Sequence, residues 1–380
     1  MNLGIIDVRE WQTMVDFRTG RKAQVLKQNH LINEISHLLR MHPYPGDIDP
    51  SSNAWVTDVA LDLNSIYHPD FIFLTYAQPF FTSVFQHLNN EEWQAIITSV
   101  TNEVNRFIAL SGFVPVIVGS GRTTPLQGEI DLSSLQGLAN CGGMGPTYAG
   151  LYYPSKEDLT QLQDDERVEM IIPRHQLIDE WGGNADFTSR LPEYLLSAGQ
   201  GYTFRGIGNM PRILYRINGK DKQIPVKAPF GAKSITEIAP MIKKILPDHR
   251  VALIMVEGIG CEDFPFAYEQ CDNTFSWHTY GTGDDQYLAL TSGKHLPFHP
   301  FPPGHKYYRD DCEDKPYPYS GIYRYMPDNV IGADTSIKSA AVGSRSILTH
   351  VASGADISVE CFARALYNYG SMAVLNNLLD

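Results

Sequence analysis

The sequence is short of charge. Only 19% of its 380 residues are Asp, Glu, Lys or Arg, against about 25% in an average soluble protein. Aromatics reach 11%, with 20 Tyr and 17 Phe. A disordered chain needs few aromatics and a strong charge excess, so this composition excludes one and calls for a large buried body. Cysteine is scarce as well. Cys141, Cys261, Cys271, Cys312 and Cys361 are odd in number, far apart and form no C-x-x-C pair. That spacing indicates neither a zinc ribbon nor a disulfide framework, and reads as reduced, structural thiols in a cytoplasmic protein. No apolar run nears the ~20 residues that cross a bilayer. The opening Met1-Asn2-Leu3-Gly4-Ile5-Ile6-Asp7 lacks the basic and apolar regions of a signal peptide. Basic residues are outnumbered 30 to 43, for a formal net charge of −13. Nucleic-acid binding rests on clustered Lys and Arg and is not expected.

What is present is an alternation of strand-length apolar runs with helical stripes. Leu3–Asp7, Phe71–Tyr76, Val114–Val118 and Val251–Val256 read as strands. Helical spacing covers 23–40, 58–67 and 90–110, the last closed by Gly112. Ser234-Ile-Thr-Glu237 has the form of a capping box before another apolar face. Ser353-Gly-Ala-Asp356 reads as the cap of a last helix, with Ile357, Cys361, Phe362, Ala365, Leu366 and Tyr369 inward. Repeated strand–helix order predicts an α/β fold: a mostly parallel sheet with helices on both faces. The regularity fades over 119–233, where Gly128–Leu132, Cys141–Pro146 and Trp181–Asn184 carry loop signals, and 166–172 and 212–217 are strand candidates. This stretch reads as a Gly/Pro-rich inserted or smaller lobe. The expected organisation is thus 1–118 as the first part of the core, 119–233 as the lobe, and 234–380 as the second part, with a Tyr/Pro/His-rich loop at 296–330.

Ligands of open α/β sheets bind beyond the carboxyl ends of the strands. The residues expected there are Asp7 and Arg9, then Thr75, Gln78 and His87, then Gly119–Thr124, then Glu257, Glu262 and Asp263. In Gly119-Ser-Gly-Arg-Thr-Thr124, the glycines free backbone N–H groups to meet an oxyanion. Ser120, Arg122 and Thr123 are therefore candidate ligand contacts, with Arg345 as a second cation. The loop lacks the Lys-Ser/Thr ending of a nucleotide P-loop. A plain turn with a surface Arg is the alternative. Glu257, directly after a buried strand, and Asp263 offer hard oxygens for a divalent metal. His295, His299 and His305 could complete such a site, although their prolines prevent a helical i, i+4 pair. Asp7, Ser344 and His350 are candidate catalytic residues, since a Ser with a nearby acid could be a nucleophile, although no Gly-x-Ser-x-Gly elbow is present. Helix capping and loop hydrogen bonds are the alternative for the hydroxyls.

The order of three pieces resembles a known family. Thr57-Asp-Val-Ala-Leu-Asp-Leu followed by His68-Pro-Asp-Phe-Ile-Phe-Leu-Thr-Tyr76, the helix from Asn90-Glu-Glu-Trp, and Val114-Pro-Val-Ile-Val-Gly-Ser120 look like the second half of an alkaline-phosphatase-like, type I phosphodiesterase. Val251-Ala-Leu-Ile-Met-Val-Glu-Gly-Ile-Gly260 resembles that superfamily's opening strand, here late in the chain. The resemblance implies the α/β fold, a divalent zinc or manganese cofactor, and hydrolysis of a small phosphate- or carboxylate-bearing molecule. The chain departs from the motifs: Gly119-Ser-Gly-Arg122 stands where the family has Asp-His, and Gln78-Pro-Phe-Phe81 where it has an Asp and a His. The alternative is a non-catalytic α/β protein that binds a small anion or a protein partner. The sequence leaves a homo-oligomer open.

Overall fold

A computed structural model describes residues 2–6, 13–16, 21–24, 37–38, 40–141, 145–181, 191–205, 213–273, 286, 289–290, 293, 355, 357–360 and 372–376. The chain opens with β1 (Asn2–Ile6), β2 (Thr13–Asp16) and β3 (Arg21–Gln24). Helix α1 (Ser52–Tyr67) leads into β4 (Phe71–Tyr76), a short α2 (Gln78–Phe85), a long α3 (Asn90–Ser111) and β5 (Val114–Gly119). Next come β6 (Thr123–Pro125), β7 (Gly128–Asp131), β8 (Leu138–Asn140), β9 (Tyr148–Tyr152) and α4 (Lys156–Gln163). They are followed by β10 (Val168–Pro173), α5 (Arg174–Trp181), β11 (Tyr194–Ala198), β12 (Tyr202–Arg205), β13 (Arg216–Asn218) and β14 (Gln223–Lys227). Helix α6 (Ile235–Ile245), β15 (Val251–Val256), β16 (Glu269–Asp272), β17 (Ile357–Glu360) and β18 (Met372–Asn376) complete the described elements.

The main sheet has eight strands in the order β1-β18-β17-β4-β15-β5-β14-β16. Its centre is parallel: Val251 of β15 pairs with Phe71 of β4 on one side and Val114 of β5 on the other, and Ile357 of β17 pairs with Ile72. The outer strands are antiparallel. The sheet is therefore mixed, where the sequence predicts a mostly parallel one. Central strands are hydrophobic along their whole length because both faces are covered. All six residues of β4 and all six of β15 are buried. Phe71, Phe73, Val116, Val118, Val251, Leu253 and Met255 meet Ile235, Ile238 and Ile242 of α6. The intervening Ile72, Leu74, Ala252 and Ile254 point to the other side and are fully buried too. Helix α1 contacts β4 and β17 and packs on α3. At about 25 cal/mol per Å² of apolar surface, this two-sided burial is the main stabilising term of the fold.

Helix α3 matches its predicted span. Asn89 accepts from the Glu92 N–H at 2.9 Å, Glu92 accepts from the Asn89 N–H at 2.8 Å, and Gly112 closes the helix in the left-handed region at φ 75°. Five expectations are corrected. Helix α1 starts at Ser52, earlier than the apolar pattern shows, because Ser52 and Asn53 are buried through hydrogen bonds instead of apolar contact. The start of the stretch read as a helix over 23–40 is strand β3, although residues 37, 38 and 40 are helical. The expected last helix is β17 where it begins. Ile357 and Val359 are buried and pair with Ile72 and Leu74 of β4, and β-branched residues suit a strand docked there. Gly128–Asp131, read as a loop, is β7 and pairs in parallel with β12. The capping box at Ser234 is also shifted: Ser234 accepts from the Thr236 N–H, and Glu237 takes the Lys233 N–H at 2.8 Å.

Within the stretch read as a lobe, β10-β11-β9-β8 form a separate antiparallel sheet. Leu151, Leu196 and Ala198 from it share a core with Leu162 of α4 and with Ile130 and Phe204 of the β7–β12 pair. No described helix is long and apolar enough to cross a membrane.

Candidate functional site

The parallel strands β4, β15 and β5 end side by side, and their following loops are packed tightly. Gly258, just past β15, has φ 81°, and a Cβ there would lie 2.8 Å from the Phe80 Cα of α2. A Cβ on Gly119 would meet the Ile259 carbonyl at 2.5 Å. These two glycines let three loops share one edge.

Ser120 stitches that edge together. Its N–H donates to the Val256 carbonyl at 3.1 Å, its hydroxyl oxygen accepts from the Gly258 N–H at 2.9 Å, and its carbonyl accepts from Gln286 at 2.8 Å. Arg122 turns toward acids. Its backbone N–H and its Nε both donate to Asp221, at 2.7 and 3.0 Å, and its Nη1 reaches Glu262 at 3.3 Å. The Asp221 pair fixes the Arg122 loop to the segment before β14.

Beyond Arg122 the chain enters β6, which pairs antiparallel with β13. That ladder sets Arg216 beside Thr123. Arg216 Nε donates to the Thr123 hydroxyl at 2.9 Å, and Nη2 donates to the Thr123 carbonyl at 2.6 Å. Thr123 is 2% exposed, and its hydroxyl also meets the Ser83 hydroxyl of α2 at 3.1 Å. Across the same cleft, Trp93 Nε1 donates to Asp263 Oδ2 at 3.1 Å. The cleft holds about 160 Å³ and is lined by Arg216, Asp263, Trp93, Thr123, Thr124 and Gly258, with Arg122 and Glu262 also in its wall.

Electrostatically, Arg216 stands out. Burial lowers its pKa from the usual guanidinium value, and the negative charge of Asp263 opposes that shift. Yet the ion pairs found within 4.0 Å among the described residues do not include Arg216. A half-buried cation with no carboxylate in contact is costly unless something shares its charge.

Of the sequence candidates, Arg122, Thr123 and Asp263 line this cleft, and Ser120 and Glu257 do not. Glu257 is 5% exposed and already takes part in an interaction. His87 stacks edge-on to Tyr215 at 5.9 Å. At the β4 end, where the family resemblance implies metal ligands, Gln78 is 2% exposed. Its Nε2 donates to Thr82 at 3.0 Å, and its Oε1 accepts from Asn53 at 3.1 Å. Amides and hydroxyls bonded to one another are poor donors for a divalent cation. Among the described residues no three of His, Cys, Asp and Glu come together. The described residues thus do not build the zinc or manganese centre, and no chemistry is routed through one. Asp7, His295, His299, His305, Ser344, Arg345 and His350 lie outside the described residues.

Sequence reasoning missed Arg216 and misplaced Trp93. Arg216 sits in a strand candidate with no motif around it, so no local signal marks it. Trp93 belongs to the apolar stripe of α3 by spacing, but it is only half-buried and its indole N–H serves Asp263. One further pair looks catalytic: Lys220 Nζ donates to Ser197 Oγ at 2.6 Å, and burial lowers the Lys220 pKa. Ser197 is fully buried, and Lys220 also bonds Glu169 at 2.8 Å, so the contact ties β11 to the segment before β14.

No family model matches the chain, and no curated protein matches it. Among solved structures it is similar to phosphonoacetate hydrolase from Sinorhizobium meliloti 1021, in complexes with phosphonoformate and with phosphonoacetate. Each likeness has 13% sequence identity and a TM-score of 0.37, and covers 49% of this chain. The similarity spans about half the length of those enzymes, 51% of each.

Proposed function

We propose that this protein binds a small phosphate- or carboxylate-bearing molecule in the cleft between β6, β13, α3 and the loop after β15. The observation that carries this reading is Arg216. Thr123 anchors it through Nε and Nη2, and it is half-buried with no carboxylate in contact among the described residues. An anionic oxygen in the cleft would complete its charge balance through a charge-assisted hydrogen bond. Arg122 adds positive charge at the rim, although Asp221 and Glu262 already occupy most of its donors. Calorimetric titration with inorganic phosphate and with small carboxylates tests the reading. Binding that Arg216→Met weakens at least about tenfold supports it, since a hydrogen bond to a charged group is worth about 1.5–3 kcal/mol. Undiminished affinity in Arg216→Met overturns it.

A hydrolase acting on such a molecule is the second reading, favoured by Asp263. Asp263 lines the same cleft as Arg216, and a carboxylate there would take a proton from water attacking a bound ester. Release of phosphate from an aryl phosphate, lost in Asp263→Asn, tests this step separately from binding.

A further inference from the structure

Resting on the anion-binding reading of Arg216, we infer that the cleft selects a zwitterion: a small molecule with a carboxylate or phosphate at one end and a protonated amine at the other. The cleft presents two opposite charges that do not touch. Arg216 and Asp263 line the same 160 Å³ space and feel each other's field, yet no ion pair within 4.0 Å joins them.

Each charge is held from behind. Thr123 grips Arg216 through its hydroxyl and its carbonyl, so the guanidinium stays in the wall. Trp93 donates its indole N–H to Asp263 Oδ2, so the carboxylate is held in place as well. Two exposed side chains of opposite sign would ordinarily close on each other. Here their separation is built in by the β6–β13 ladder on one side and by α3 on the other. A monoanion satisfies Arg216 and leaves Asp263 facing a second negative charge. A monocation does the reverse. A zwitterion answers both charges at once and brings no net charge into the cleft.

Three probes of nearly equal size separate the alternatives: β-alanine as the zwitterion, propionate as the monoanion and n-propylamine as the monocation. Each is titrated into the full chain by calorimetry at low ionic strength. The expected result is β-alanine binding about twofold to fivefold more tightly than propionate, the range of one added partly screened ion pair. Asp263→Asn, which retains an acceptor for Trp93, should bring the two to equal affinity. Propionate binding as tightly as β-alanine to the unmodified chain overturns the zwitterion inference alone and leaves the anion site standing. No saturable binding of either carboxylate, or n-propylamine matching β-alanine, overturns the Arg216 reading as well. The wild-type comparison decides the matter whether or not the variant folds.

Discussion

Arg216 and Thr123 are joined twice, by Nε to the hydroxyl at 2.9 Å and by Nη2 to the carbonyl at 2.6 Å. The pair crosses from β13 to β6 and uses the fork geometry that only a guanidinium offers. Arg216→Lys keeps the charge and loses the fork. It should weaken binding of inorganic phosphate by about tenfold and also lower thermal stability, because the double bond to Thr123 is lost. Calorimetry and a melting curve on the same sample check both halves of the statement. Equal phosphate affinity in the Lys variant would show that charge alone suffices.

The Thr123 hydroxyl is shared between Arg216 and Ser83, so one atom ties the cleft to α2. Thr123→Val removes that atom at nearly constant volume and leaves a buried donor unpaired. The expected cost is about 1–3 kcal/mol in urea unfolding, together with loss of phosphate binding. A stability loss with intact binding would separate the scaffold role of Thr123 from the site.

Gly258→Ala tests the close approach of the loops. The residue sits at φ 81°, and the new methyl carbon would lie 2.8 Å from the Phe80 Cα. Left-handed backbone costs an L-residue about 1–2 kcal/mol, and the clash adds to it. The variant should melt several degrees lower and lose binding, because the shift moves the edge that carries Asp263.

Asp158 gives a pH prediction. Burial pushes its carboxyl pKa up, but the N–H groups of Gln136, Ser155 and Gly137, with the Ser155 hydroxyl, outweigh this and hold it below the usual value. A carboxyl whose folded pKa is depressed adds stability above its unfolded pKa, about 3.9, and loses it as the pH falls through the folded value. Urea midpoints should therefore fall on acidification below about pH 4, and this part of the slope should vanish in Asp158→Asn.

The thiols differ in a checkable way. Burial, then the charges of Asp272 and Glu237, push the Cys271 thiol up to about 12, and its side chain is fully buried. Cys271 should stay unmodified by a thiol reagent at pH 8 in the native protein and react fully in urea, as peptide mass spectrometry will show.

The central strands were legible because apolar runs such as Phe71–Tyr76 and Val251–Val256 have one physical meaning once their length is known. Helix α3 was legible because its cap, stripe and terminal glycine agree. The segment from Ile357 was not: Ile357, Cys361 and Phe362 fit a helical spacing, while the pairing of Ile357 with Ile72, 285 residues away, leaves no local trace. The site divides the same way. Arg122 and Asp263 follow strands and could be listed by rule. Arg216 enters through the β6–β13 ladder, a contact between distant segments, and nothing in Leu214-Tyr-Arg-Ile217 announces it. Ser120, expected as a ligand contact, has a hydroxyl oxygen that accepts from the Gly258 N–H, a bond its sequence does not announce.

The position of β15 between β4 and β5 has a consequence for how the protein is made. During synthesis β4 and β5 are finished well before β15, yet they cannot become neighbours in the native sheet, because one strand's width must stay open between them. Until residue 256 has left the ribosome, both keep unpaired apolar edges, which are templates for sticking to other chains. The β8–β11 sheet, whose pairings are local, has no such wait. Halted chains ending near residue 250 should therefore protect the segment around β9 and β11 from protease and leave β4 and β5 dependent on chaperones.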